Sequence, residues 1–212
     1  MSTKNKILDA AESLFADKGF SGTSLREITS LAEVNLAAVN YHFGSKKELI
    51  KAVMSRYMDE LAPNLVSTLE AICAQPEQPT LIEVFSAFME PLLSLNVFRQ
   101  NGTSNFLQLL GRGYTDSQGF LRWFFTTQYP GVISNFVLAV QKAYPELTPE
   151  EIFWRLHFTM GTVVFTMSSS DALMDIAKND FDKTLNIADV IQKVIPYVAA
   201  GVAAPIVSPI SE

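Results

Sequence analysis

Three helix caps fall at Ser24, Asn35 and Ser45, and caps this close together leave room for little except short, tightly turned helices. Ser24-Leu25-Arg26-Glu27 spells a capping box, in which the Ser24 hydroxyl accepts from the Glu27 amide and the Glu27 side chain returns to Ser24. The helix it opens, from about Leu25, buries Leu25, Ile28 and Ala32 and stops near Glu33. Asn35 then caps a short helix from Leu36 to about Phe43, closed by Gly44. Ser45 with Glu48 reads as a second box. It opens a helix carrying Leu49, Ile50, Val53, Met54 and Tyr57, which Pro63 is expected to kink or end. Upstream, Ile7, Leu8, Ala11, Leu14 and Phe15 mark one face of a first helix ending near Lys18-Gly19. Two short helices joined by a tight turn, with a supporting helix on either side, describe a helix-turn-helix unit.

Composition narrows the partners. The chain has 212 residues, 48% of them hydrophobic and 18% charged, which suits a folded globular chain. Cys73 is the single cysteine, so no intramolecular disulfide can form, and with only two histidines neither a metal site nor a cofactor is expected. Met1 to Lys6 lead into an amphipathic stretch rather than a secretory core, and no run of about 18 consecutive apolar residues occurs. A cytoplasmic protein without a membrane partner is the expectation. The net charge of −6 argues against nucleic acid until it is divided: residues 1 to 57 carry +2 and the remainder −8. Only the head suits phosphate.

Beyond Pro63 the period stays helical while the composition turns aromatic. Gln75 to Pro79 reads as a loop, Leu81 to Leu95 as a helix kinked at Pro91, and Gly111, Gly113 and Gly119 as a connection. Helices are expected over Phe120 to Tyr129, Val132 to Tyr144, Pro149 to about Ala177 and Ala188 to Ala200. No alternating strand pattern of useful length is present. The fold class is therefore all-α, with an N-terminal helix-turn-helix domain (1–48), a C-terminal helical body (49–203) and a flexible tail (204–212).

Thr23-Ser24-Leu25-Arg26-Glu27-Ile28 and the run Asn35-Leu36-Ala37-Ala38-Val39-Asn40-Tyr41-His42-Phe43-Gly44-Ser45-Lys46-Lys47-Glu48-Leu49 resemble the DNA-binding region of TetR-family transcriptional regulators. Glu33 departs from that pattern, since the family usually has glycine in the turn. Ser117-Gln118-Gly119, Phe153 to Phe158, Phe165 to Ser168 and Ala199-Ala200-Gly201 are similar to stretches of the PsrA-type repressors. That resemblance implies a ligand-binding and dimerising body, a homodimer on a palindromic operator, and a small apolar effector, a long-chain fatty acid or acyl-CoA.

A helix entering the major groove needs small or hydrogen-bonding side chains toward base edges and donors toward phosphates. Asn40 can pair with adenine, and Leu36 and Ala37 can touch thymine methyls; the bland alternative makes Leu36 core and Asn40 plain surface. By resemblance Tyr41, His42 and Lys46 take backbone-contact positions, although His42 also fits a core histidine or a metal ligand. Ser24 and Arg26 suit a further phosphate, with capping and solvation as their alternatives. One head covers only a short half-site, which implies a dimer.

In the body, Phe153, Leu156, Met160, Val163, Val164 and Met167 follow helical spacing, either as an intramolecular core or as the dimeric helix interface the family places there. Aromatic residues, among them Phe106, Trp123 and Phe158, either fill the core or line an apolar effector chamber, with Arg122 or Arg155 able to hold a carboxylate or to sit in a surface ion pair. The rival classes are an enzyme and a protein-binding helical module. No glycine-rich phosphate loop, nucleophile elbow or metal spacing supports the first. Salt-sensitive binding to duplex DNA separates off the second. An efflux or stress regulator answering another hydrophobic ligand is the alternative within the resemblance, and operator position decides repression or activation.

Overall fold

The computed structural model describes residues 2–116 and 118–206, without the side chains of 114–116 and 118–122. Twelve helices are found among the described residues, and no strand. The first four are α1 (Thr3–Gly22), α2 (Leu25–Leu31), α3 (Leu36–Phe43) and α4 (Lys46–Ala74). The body continues with α5 (Leu81–Ser86), α6 (Met89–Phe98), α7 (Gly102–Asp116) and α8 (Gln118–Gln128). It closes with α9 (Pro130–Ala143), α10 (Pro149–Ser168), α11 (Ser170–Phe181) and α12 (Ile187–Val202). Helix α1 lies on α7, α4 on α6 and α9, α10 on α7 and α12, and α12 also on α5. One apolar core runs from Ile7 and Phe15 in the head through Val53, Tyr57 and Leu65 of α4 to Val198 and Val202.

The caps of the head form where their residues stand. Ser24 and Glu27 make the full reciprocal box, and the Asn35 side chain accepts from the Ala38 amide at 2.9 Å. At Ser45 only half of the expected box forms: its hydroxyl accepts from the Glu48 amide, while the Glu48 carboxylate turns to Lys51 at 2.6 Å. Gly19, at φ 77°, breaks the helical geometry near the end of α1, as expected.

The turn between α2 and α3 takes a left-handed residue although it holds no glycine. Glu33 sits at φ 54°; its own amide reaches the Ser30 carbonyl, and the Val34 amide reaches Thr29 at 3.0 Å, a Schellman closure. A side chain in that region costs about 1–2 kcal/mol, part of which glycine would return as lost chain entropy. Glu33→Gly is expected to stabilise the protein by about 0.5–1 kcal/mol, a rise of roughly 1–4 °C in a thermal melt; a lower melting temperature would contradict this account of the turn.

Four expectations about helix boundaries are corrected. Pro63 neither ends nor divides α4, which runs on to Ala74. The bond it forfeits, to the Asp59 carbonyl, lies on an exposed stretch, while Leu61, Ala62, Leu65 and Leu69 bury apolar surface on both sides of it. Leu81 to Leu95 is two helices, parted at Ala87-Phe88, where the carbonyl that Pro91 cannot serve is found. Gly111 and Gly113 lie inside α7 rather than in a connection. A Cβ at Gly111 would stand 2.9 Å from the Ser168 Cβ, so its bareness lets α7 and α10 meet. The long segment from Pro149 divides at Ser169, within three serines that compete for backbone bonds; the Ser168 hydroxyl donates to the Phe165 carbonyl.

The window Leu81–Phe98 is long and apolar enough to cross a membrane by length and composition alone. Its two helices instead pack on α12, α9, α4 and α7.

Candidate nucleic-acid interface

Helix α3 is anchored by its inner face. Val39 is fully buried and Phe43 nearly so, against the core that Phe15, Phe20 and Ile28 supply. The opposite face is turned outward: Leu36, Ala37, Asn40 and Tyr41 are all exposed, Leu36 by 44% and Tyr41 by 86%. Their spacing of one, three and one residues places them on a single stripe. Leu36 is thus not a core residue. An amide flanked by apolar groups, with a phenol beside it, suits the edge of a base pair and the adjoining backbone.

His42 is half-buried with its ring 5.1 Å from that of Tyr41, and Lys46 is half-buried at the start of α4. Among the described residues no group of three His, Cys, Asp or Glu side chains gathers as a metal site, so His42 has no co-ligands there. Ser24 and Arg26 are exposed at the start of α2. The Ser24 hydroxyl and amide both donate to the Glu27 carboxylate, at 2.8 Å each, so this serine holds the helix start rather than offering a donor outward. The bond from Lys18, then the Ser24 amide, hold the Glu27 carboxyl down at about 2. Because that value is depressed in the folded state, the support is fully present above the ordinary 4.5 and is lost as pH falls toward 2.

Of the residues expected to hold an effector, the described side chains of Phe106, Trp123, Phe158 and Arg155 have different surroundings. Phe106 is buried in the core, its ring 5.5 Å from that of Tyr57. Trp123 is 42% exposed, with the Lys51 ammonium 4.5 Å and the Lys47 ammonium 5.7 Å from its ring centre. Phe158 stands on the outer face of α10 against Trp154. The side chain of Arg122 and the residue Ser117 lie outside the described residues. Arg155 is no free anchor: it is buried, pairs with Glu151 at 2.8 Å and donates to the carbonyls of Val202 and Ala204, tying α10 to the end of α12. A cleft of about 180 Å³ opens between α1, α7 and α10, but its lining of Ala16, Asp17, Gln108, Arg112 and Ser168 is largely polar.

Residues of consequence also emerged that sequence reading did not mark. Lys47 and Lys51 meet Trp123 across about seventy positions, and the head carboxylates of Asp9 and Glu12 meet arginines from α4 and from the α6–α7 corner. Neither pairing leaves a local signal, since each depends on how distant helices are laid together.

The family description "Bacterial regulatory proteins, tetR family" matches residues 7–53, and "Tetracyclin repressor-like, C-terminal domain" matches residues 86–201, more than half of the chain. The chain belongs to the TetR family. It is 38% identical over 84 residues to the "Probable HTH-type transcriptional regulator YttP" of Bacillus subtilis (strain 168), 40% of this chain and 41% of that protein. It is 38% identical over 58 residues to the biofilm operon icaADBC HTH-type negative transcriptional regulator IcaR of Staphylococcus aureus, 27% of this chain and 31% of that one. The chain thus spans less than half the length of either curated relative. The fold is shared more widely. SmeT, the repressor of the Stenotrophomonas maltophilia multidrug efflux pump SmeDEF, superposes with a TM-score of 0.59 at 16% identity over 96% of this chain and 90% of its own. HlyIIR, a hemolysin II transcriptional regulator, does so with a TM-score of 0.56 at 22% identity over 92% and 96%.

Proposed function

We propose that this TetR-family chain is a transcriptional repressor that grips a palindromic operator as a homodimer and releases it when a small hydrophobic effector occupies the body. The observation that carries the reading is the outward stripe of α3, with Val39 and Phe43 anchoring the helix behind it. Asn40 pairs with adenine and Leu36 and Ala37 meet thymine methyls, while Arg26, Tyr41, His42 and Lys46 hold phosphates. Ser24 serves by fixing the start of α2. Repression rather than activation is favoured by the likeness to IcaR, a negative regulator, and SmeT, a repressor.

Dimerisation is assigned to α10 and α12. Trp154, Phe158, Gly161 and Phe165 recur at spacings of four, three and four along the exposed side of α10, and no described residue stands within 4 Å of a Cβ placed at Gly161. Tyr197 and Gly201 continue the exposed surface on α12. Phe158 belongs to this face and leaves the effector set. Phe106 on α7, which a chamber opening beside it would uncover, and the already half-exposed Trp123 on α8 remain as effector contacts, with Arg122 as the group that meets a carboxylate. The PsrA-type resemblance favours a long-chain fatty acid or acyl-CoA; the likeness to SmeT, repressor of a multidrug efflux pump, favours other hydrophobic compounds.

Selection of bound duplexes from a random pool, repeated with long-chain acyl ligands and with aromatic cations, tests the whole reading. The expected result is a palindrome with half-sites roughly 34 Å apart and a loss of affinity of about fivefold to a hundredfold with the correct ligand class. No enrichment would remove the operator. Enrichment indifferent to every ligand would remove the effector.

A further inference from the structure

An ion network centred on the buried Glu12 joins the head to the body away from the DNA-facing stripe. Asp9 and Glu12 lie one turn apart on α1. Arg56 of α4 reaches Asp9 at 2.8 Å and Glu12 at 3.4 Å. From the body, Arg99, the residue that ends α6, reaches the same two carboxylates at 2.8 and 3.3 Å. The Tyr57 hydroxyl donates to Glu12 at 2.6 Å, and the Glu12 side chain is 5% exposed. Two carboxylates thus face two guanidiniums. Burial alone would raise the Asp9 carboxyl, but the bonds from Arg99 and Arg56 outweigh it and hold the group below its ordinary range.

The corner that delivers Arg99 has one shape. Asn101 is left-handed at φ 56°, and a Cβ at Gly102 would lie 2.1 Å from the Leu95 carbonyl oxygen, so only glycine passes there. The Thr103 amide donates to the Asn96 side chain, and the Thr103 hydroxyl to the Leu92 carbonyl. A fork held this firmly is a poor source of net stability, because desolvation offsets the Coulomb gain, yet it penalises any displacement that separates a buried charge from its partner.

We propose that Arg99 is a positioning residue for DNA binding: by holding Asp9 and Glu12 of α1 against the α6–α7 corner, it fixes the angle at which each head is presented and hence the half-site spacing a dimer accepts. This rests on the operator reading above. One base pair more or less at the centre of an operator shifts the half-sites by roughly 3.4 Å and turns them by about 35°, which a forked head cannot follow and a loosened one can.

The test uses the full chain as R99Q and R99K, on the selected operator and on versions with one central base pair added or removed. R99Q is expected to lose about tenfold of the wild-type discrimination between spacings, while keeping its affinity for a single half-site. R99K, which retains the charge without the planar fork, is expected to fall between. Independently of DNA, spin labels on Leu31→Cys and Leu138→Cys, in a Cys73→Ser background diluted with unlabelled protein, report the distance from head to body. That distribution should be narrow with Arg99 and broad in R99Q. A lower melting temperature with spacing discrimination and distance distribution both unchanged makes Arg99 a structural tie and overturns the proposal. A broadened distance in protein that binds no duplex supports the positioning role and overturns the operator reading instead.

Discussion

Phe158→Glu combined with Phe165→Glu is expected to turn a dimer into monomers of 23.5 kDa and to lower operator affinity by about 10²–10⁴-fold, the gain that two linked contacts hold over one. Both rings are 66% exposed on α10, and with Trp154 at 50% they form a continuous apolar stripe that a single chain leaves in water. Large aromatic side chains bury about 150–250 Å² each when covered, so a second copy of the helix removes much of what this chain alone cannot. Gly161, at the centre of the stripe and with no described residue against it, allows the two backbones to approach. Two carboxylates placed there would have to be desolvated without partners, which costs several kcal/mol per charge and is met by dissociation. Neither ring belongs to the buried core, so the separated chains should keep their helical content, while melting falls by the lost association and ceases to depend on protein concentration. Sedimentation gives the mass and a duplex titration the affinity; an unchanged mass would place the interface elsewhere.

Legibility followed the range of the physical signal. Caps act over three residues, so Ser24, Asn35 and Ser45 announced the head, and α3 begins at Leu36 and ends at Phe43 as its cap and Gly44 require. Thr80 with Glu83 and Asn186 with Asp189 are boxes of the same kind and were equally open to reading. The outward face of α3 was legible only in part: groove chemistry suited Leu36, Ala37 and Asn40 but left Leu36 open as a core residue, and Tyr41 came from the resemblance. Pro63 and Gly111 misled because their local rule was overruled by burial: Leu61, Ala62 and Leu65 carry α4 past the proline, and the contact with Ser168 keeps Gly111 inside α7. Arg99 and Asp9 stand ninety positions apart, and no spacing rule reaches that far. The aromatic residues failed for a related reason. Periodicity told that Phe106, Trp123 and Phe158 face something, but not that one faces the core, one a pair of lysines and one the solvent.

Replacing Asn40, Tyr41 and Lys46 together with alanine is expected to reduce operator affinity by at least about 10³-fold, and the single variants should divide that loss by kind. An asparagine paired with adenine is worth about 1–3 kcal/mol, and a dimer carries it twice, so Asn40→Ala alone gives roughly 30-fold to 10⁴-fold on the selected sequence. The loss should be confined to one position in each half-site, where all four bases become nearly equivalent. Lys46→Ala and Tyr41→Ala should weaken binding evenly across sequences, and Lys46→Ala should lower the slope of affinity against salt by about 0.9 for each phosphate released. Stability gives the control. Asn40 and Tyr41 point into solvent and Lys46 lies half-buried at the rim, so folding should change by less than about 0.5 kcal/mol at the first two sites. A triple variant that melts normally and still holds its duplex would show that α3, for all its outward face, is not the element that meets DNA.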